Sequence, residues 1–193
     1  RAFYGTAEDV SLLGDYRLPE VYDPVLRAIR FERLSDGRTC GVLVQWNAHG
    51  IEPRNNPLVS RDFMGNTVDE LQKRHECPVI YFSGPIGGLM GTPRNRAFLG
   101  ENPEPLRGVF DFIGRYGRAV ADLADKALDS AEPIELAPFV VSTKPIAVPL
   151  DNAGYRTLRA AGVLTRDAFE WTGSYNELGS PLAPEVSEGD IAL

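Results

Sequence analysis

Thr39-Cys40-Gly41-Val42-Leu43-Val44-Gln45-Trp46-Asn47-Ala48-His49 is an apolar run of strand length that ends in an imidazole. Ser35-Asp36-Gly37-Arg38, a turn signal of the Asp-Gly type, precedes it, and the polar loop Gly50-Ile51-Glu52-Pro53-Arg54-Asn55-Asn56-Pro57 follows. Before the turn, residues 25–34 alternate through Leu26, Ala28 and Phe31, so the two runs predict a β-hairpin. After the loop, Asp62 can open a helix reaching to about Glu76. Val68, Leu71 and Gln72 give that helix a partial apolar stripe, and Gly65 weakens it. Cys77-Pro78 ends the helix, and residues 78–82 read as a short buried strand. A strand-helix-strand unit over 39–82 places two strands side by side in parallel. The fold class expected is therefore α/β or α+β, a mixed sheet with packed helices.

Residues 106–131 carry the longest helical pattern, with Val109, Phe112, Ile113, Tyr116, Val120, Leu123, Ala124, Ala127 and Leu128 at three- and four-residue steps. Gly114 and Gly117 are its weak points, and Glu132-Pro133 ends it. Residues 139–150 look strand-like but contain Pro145 and Pro149, which confines them to an edge. Residues 152–161 predict a short helix stopped by Gly162. Residues 1–23, 94–106 and 165–188 read as irregular or looped. With no internal repeat and no clear linker, residues 1–193 are expected to form a single partial domain.

The chain has 193 residues, 43% apolar and 24% charged, enough for a hydrophobic core. A net charge of −7 argues against a nucleic-acid binder, which needs a basic surface to neutralise phosphates. It argues equally against docking on anionic lipid. No apolar run approaches the roughly 20 residues that cross a bilayer. The two cysteines, Cys40 and Cys77, form no disulfide framework and lack metal-knuckle spacing, so both are expected as buried free thiols. The first residue is Arg1 rather than Met, and the last three residues read as the start of a strand, so a fragment is expected.

His49 is one of only two histidines. At a strand end it is held rigidly yet can face a cleft, where a metal ligand or general base is useful. The alternative is a hydrogen-bonded polar side chain at the edge of the core. His75 closes its helix among Lys73, Arg74 and Glu76, where it suits the negative end of the dipole and solvent. Asp62 can cap the helix or orient His49. Asp122, Asp125 and Asp129 read as a solvated helix face.

After residues 78–82 comes Gly84-x-x-Gly87-Gly88-x-x-Gly91. It is neither a P-loop nor a dinucleotide fingerprint, because no Gly-Lys-Ser/Thr follows and Pro93 turns the chain away from a helix. Its glycines can bring backbone N–H groups close to a ligand or oxyanion, or serve a tight crossing of packed elements.

Three segments in order carry a resemblance: Val44-Gln45-Trp46-Asn47-Ala48-His49, Asn56-Pro57-Leu58-Val59-Ser60-Arg61-Asp62-Phe63-Met64-Gly65, and Ile80-Tyr81-Phe82-Ser83-Gly84-Pro85-Ile86-Gly87-Gly88. Together they resemble the neutral/alkaline non-lysosomal ceramidase family over about residues 24–150. The resemblance implies part of a zinc amidase acting on N-acyl sphingoid lipids, in an extracytoplasmic setting. It implies zinc at His49, which takes the place of the family's second histidine. The family's His-x-His motif has no match in residues 1–23, and its glutamate and tyrosine lie beyond the matched stretch. The remaining ligands are thus expected from the rest of the same protein or a second chain. Gly87 and Gly88 would bind the substrate, a small-molecule or lipid amide, and Asp62 would support the metal region. The family's nucleophilic serine aligns with Met90 when counted from Gly87-Gly88, and with Thr92 when aligned on Pro93. Thr92 is then the candidate catalytic hydroxyl. Zinc hydrolases can also use bound water, so Met90 does not exclude hydrolysis. A ceramidase-like module without catalysis is the competing expectation.

Overall fold

The computed structural model describes residues 1–15, 18–52, 57–86, 91–93, 97–100 and 104–193. The chain divides into two compact units, Arg1–Pro138 and Phe139–Leu193. The first is built on a five-stranded sheet in the order β4-β3-β2-β1-β5: β1 (Ala2–Glu8), β2 (Val25–Glu32), β3 (Thr39–Trp46), β4 (Val79–Ser83) and β5 (Glu132–Ile134). Only β3 and β4 run parallel, with Trp46 opposite Ser83. The helix α1 (Asp62–His75) makes the crossover between them, and α2 (Val109–Asp129) lies beside it. The mixed sheet with packed helices is thus the architecture expected from the sequence.

Alternation decides which face is covered. Leu26, Ala28, Val42, Val44, Trp46 and Val79 are buried with Phe63, Leu71, Tyr116, Val120 and Leu123 of the helices. Phe63 and Tyr116 meet edge to face, their ring centres 4.7 Å apart. Truncating one such aromatic to Ala costs roughly 3–5 kcal/mol. The β2–β3 hairpin closes as expected, with Gly37 at φ 69° and the Arg38 amide donating to Asp36 Oδ1.

Gly117, read from the sequence as a weak point of α2, is where α1 and α2 cross. A Cβ there would lie 2.8 Å from the Phe63 carbonyl oxygen, and Thr67 Oγ1 donates at 3.0 Å to the carbonyls of both Phe63 and Gly117. The lost helix propensity is offset by this close approach.

Four expectations for the first unit are corrected. Residues 1–23 are not wholly irregular, because β1 runs through Ala2–Glu8 and pairs with β2 and β5. The acidic face of α2 is not simply solvated: Asp122 and Asp125 both pair with Arg74, at 2.7 and 2.6 Å. His75 is likewise tied down, its Nε2 lying 2.7 Å from Asp125. Cys77 is buried as expected, but Cys40 is exposed.

The second unit holds α3 (Ala153–Ala160) and a small antiparallel sheet ordered β7-β6-β8: β6 (Ala168–Glu170), β7 (Pro181–Leu182) and β8 (Ile191–Ala192). Residues 139–150 form no strand, and only Pro149 makes an isolated bridge, to Ala192. The Val148 and Leu150 amides on either side of Pro149 donate to the Leu193 and Ile191 carbonyls, and the pairing extends no further toward residue 139. Residues 165–188, expected as loop, contain β6 and β7. The apolar core is small: Leu150, Ala168 and Ile191, flanked by Tyr155, Leu182, Val186 and Leu193. Arg159, 2% exposed, completes it by donating to five main-chain carbonyls, those of Arg166, Leu182, Ala183, Pro184 and Val186.

Candidate functional site

The parallel pair β3–β4 fixes where a site can form. Loops leaving the carboxyl ends of parallel strands emerge on one edge, and that edge is where α/β proteins place ligands. His49 follows β3 by three residues and is half-buried there. Among the described residues its ring makes no hydrogen bond. The N-terminus of α1 lies at the same edge, which brings Asp62 to the His49 loop.

Asp62 is 6% exposed, and its backbone takes the left-handed conformation with φ 55°. Aspartate tolerates that region better than most residues because its short side chain bonds locally. Its carboxylate accepts from the Phe63 amide and, at 2.8 Å, from the Glu52 amide. Ser60 Oγ accepts from the Asp62 amide at 3.0 Å. Asp62 is the first residue of α1 and not its N-cap, which is Arg61; its carboxylate instead fastens the loop that follows His49 to the start of the helix. Burial pushes its carboxyl above the usual range. The two amide bonds oppose that rise, the Glu52 charge adds to it, and nearby His49 opposes it.

Behind this pair the wall is made by β4 and α1. A Cβ on Gly50 would collide with the Met64 methyl and come within 3.3 Å of Asp62, so the chain approaches closely here. Ser83 Oγ lies 3.6 Å from Met64 Sδ. Tyr81 packs edge to face on Phe63 at 6.2 Å. Its hydroxyl is buried without a hydrogen bond, and burial drives the phenol well above its ordinary value. At the end of β4, Gly84 leaves room for two amides: Asn47 Oδ1 and Gln45 Nε2 would collide with any Cβ there. Asn47 is fully buried and donates to the carbonyls of Asp23 and Val25, locking the segment that leads to His49 onto the entry of β2.

Of the glycine loop, Gly87, Gly88 and Met90 lie outside the described residues. Gly91 forms a two-bond bridge with Gly14, at 2.9 and 3.0 Å. Thr92, next in sequence, is 3% exposed. The bridge ties the loop to the short 3₁₀ turn Val10–Leu12, whose Leu12 carbonyl accepts from Tyr116 Oη at 2.6 Å. Tyr116 Oη in turn accepts from Trp46 Nε1 at 3.1 Å. The sequence reading set Tyr116 in the helix stripe and quoted Asn47 and Tyr81 in its motifs but gave none of the three a part in the site. No local pattern joins Trp46 to Tyr116 across 70 residues.

As a zinc centre the described residues do not suffice. No group of three or more His, Cys, Asp and Glu among them stands close enough to hold a metal. The His49 imidazole makes no hydrogen bond among the described residues, whereas the Asp62 oxygens already serve two amides. A catalytic zinc takes about three protein ligands, so any further donors come from elsewhere. Among the described residues no helix is long and apolar enough to cross a membrane.

No family model and no curated protein matches this chain. Solved structures do. The crystal structure of neutral ceramidase from Pseudomonas aeruginosa superposes on 67% of this chain and 22% of its own length, at TM-score 0.56 and 17% identity. A ceramidase complexed with C2 covers 98% of this chain and 32% of its own, at TM-score 0.56 and 16% identity. The chain thus spans a third or less of these relatives. Identity this low establishes shared architecture, and the architecture shared is that of part of a neutral ceramidase, as the three ordered motifs led us to expect.

Proposed function

We propose that residues 1–193 are part of a zinc-dependent hydrolase that cleaves an amide or a related carbonyl bond. His49 contributes one metal ligand, and the other donors come from polypeptide outside the described residues. Asp62 is a positioning residue, holding the loop beside His49 against α1 through the Glu52 amide. Thr92 is the candidate nucleophilic hydroxyl, and Gly87 and Gly88 the candidate substrate contacts. The substrate class is an N-acyl lipid or smaller amide, by analogy with the ceramidases that share the fold.

One observation carries this reading. A half-buried imidazole with no hydrogen bond among the described residues stands at the carboxyl edge of the parallel pair, beside a buried carboxylate, on a ceramidase-like fold. A second reading, a ceramidase-like module without catalysis, draws support from the burial of Thr92. Amide and ester substrates presented to the intact protein, with and without a chelator, separate the two. Turnover lost on chelation and in His49→Ala supports the hydrolase; metal-independent inertness supports the module.

A further inference from the structure

The two edges of the five-stranded sheet are built differently. At one edge β5 is three residues long and carries Glu132 and Pro133. A short strand with a charge and a proline offers little to another strand. At the other edge β4 reads Val79-Ile80-Tyr81-Phe82-Ser83, with no charge, no proline and no glycine. An open edge of this composition is an aggregation hazard unless something covers it.

The ladder defines what β4 leaves open. The Pro78 carbonyl accepts from the Val42 amide at 3.0 Å, and the Gly84 amide donates to the Trp46 carbonyl at 2.8 Å. Main-chain groups alternate in direction along a strand, so Ile80 and Phe82, spaced between those two, also turn theirs to β3. Val79, Tyr81 and Ser83 turn theirs outward, and no strand among the described residues pairs with them. On the face away from α1 and α2, Ile80 ends an apolar row that runs in register through Tyr4, Ile29 and Leu43. Ile80 and Phe82 are 56% and 51% exposed.

The size of this edge selects its occupant. A five-residue strand buries far less than the about 1,200 Å² of a stable interface between separate molecules. A separate partner also loses about 4–15 kcal/mol of translational and rotational freedom on binding. A strand of the same polypeptide costs only loop closure, which grows slowly with loop length. Most of each ceramidase that shares this fold is chain beyond the part matched here, which is 22% of one and 32% of the other.

We propose that the outer edge of β4 is paired by a further β-strand of the same protein, contributed from outside residues 1–193. Its residues beside Ile80 and Phe82 are apolar and uncharged, and they continue the row on the open face. Whatever its direction, one end of that strand lies beside Ser83, at the edge that holds His49. The strand therefore brings outside polypeptide to the candidate site.

The test uses the intact protein containing residues 1–193. Residue-resolved hydrogen exchange is expected to show the Tyr81 amide protected to within about tenfold of the Ile80 and Phe82 amides. A Tyr81 amide that exchanges faster than both by more than about tenfold overturns the proposal. Phe82, half exposed, is then replaced by photoreactive p-benzoylphenylalanine, and the illuminated protein is digested and mapped by mass spectrometry. The expected product is a link within one chain to a peptide outside residues 1–193. A link to a second copy, a link confined to residues 1–193, or no link overturns the proposal. None of these readouts depends on metal or turnover, so the hydrolase reading stands or falls separately.

Discussion

Tyr116→Phe is the most informative single-atom perturbation of this fold. The Tyr116 hydroxyl lies in the core between α2 and β3. It donates to Leu12 O at 2.6 Å and accepts from Trp46 Nε1 at 3.1 Å. Phenylalanine keeps the ring contacts with Phe63, Phe98 and Phe112 and deletes both bonds. Each bond contributes about 1 kcal/mol net, and each buried partner left unpaired costs about 1–3 kcal/mol. Trp46 is fully buried and Leu12 nearly so, which leaves water no easy access. Allowing for relaxation, the loss is about 2–4 kcal/mol. For a unit of this size that lowers Tm by roughly 6–12 °C. The effect is also local, because Leu12 precedes Gly14, which holds Gly91 and with it the loop of Thr92. Thermal melting with peptide-level hydrogen exchange is the assay. Faster exchange is expected at residues 12–14 and 91–92, with residues 26–31 of β2 changed less. A Tm within about 2 °C of the parent, or unchanged exchange around Gly14, refutes the reasoning.

Arg159→Met removes five donors from a buried hub, and about 3–5 kcal/mol of local stability goes with them. Exchange across 150–193 should rise sharply, and Arg159→Lys should recover only a minor part. Arg74→Met removes the counter-charge of Glu70, Asp122 and Asp125. Burial disfavours the guanidinium charge, but bonds to these carboxylates outweigh that and hold its pKa above the ordinary value. The loss should be about 1–2 kcal/mol and should shrink in high salt, as chemical denaturation at two ionic strengths will read. Gly84→Ala drives a methyl into the Asn47 and Gln45 amides. A destabilisation of about 1–3 kcal/mol is expected by denaturant melt.

What could be read in the sequence and what could not divides along physical lines. The β2–β3 hairpin and the β3–α1–β4 crossover were legible because the Asp36-Gly37 turn and the apolar alternation are local signals. The first strand was missed because its helix-facing positions include Gly5 and Ala7. A Cβ at Gly5 would collide with the Ala127 carbonyl of α2, so that position must be small and shows no apolar alternation. Residues 139–150 carry the alternation, but only their end pairs, through the Val148 and Leu150 amides to Leu193 and Ile191, too short a pairing to make a strand. At the site, His49 and Asp62 were legible as a strand end and a helix start. The bond from the Glu52 amide to Asp62 and the unpaired Tyr81 hydroxyl were not, because they follow from tertiary packing. The same holds for Arg74, whose partners Asp122 and Asp125 lie on another helix.

Metal content tests the central claim most directly. The intact protein containing residues 1–193, purified without chelator, should carry about one zinc per chain by elemental mass spectrometry. His49→Ala should lose most of that zinc while keeping the parent Tm after chelation. Zinc absent from the parent protein, or bound equally by parent and His49→Ala, contradicts the assignment of this imidazole as a ligand.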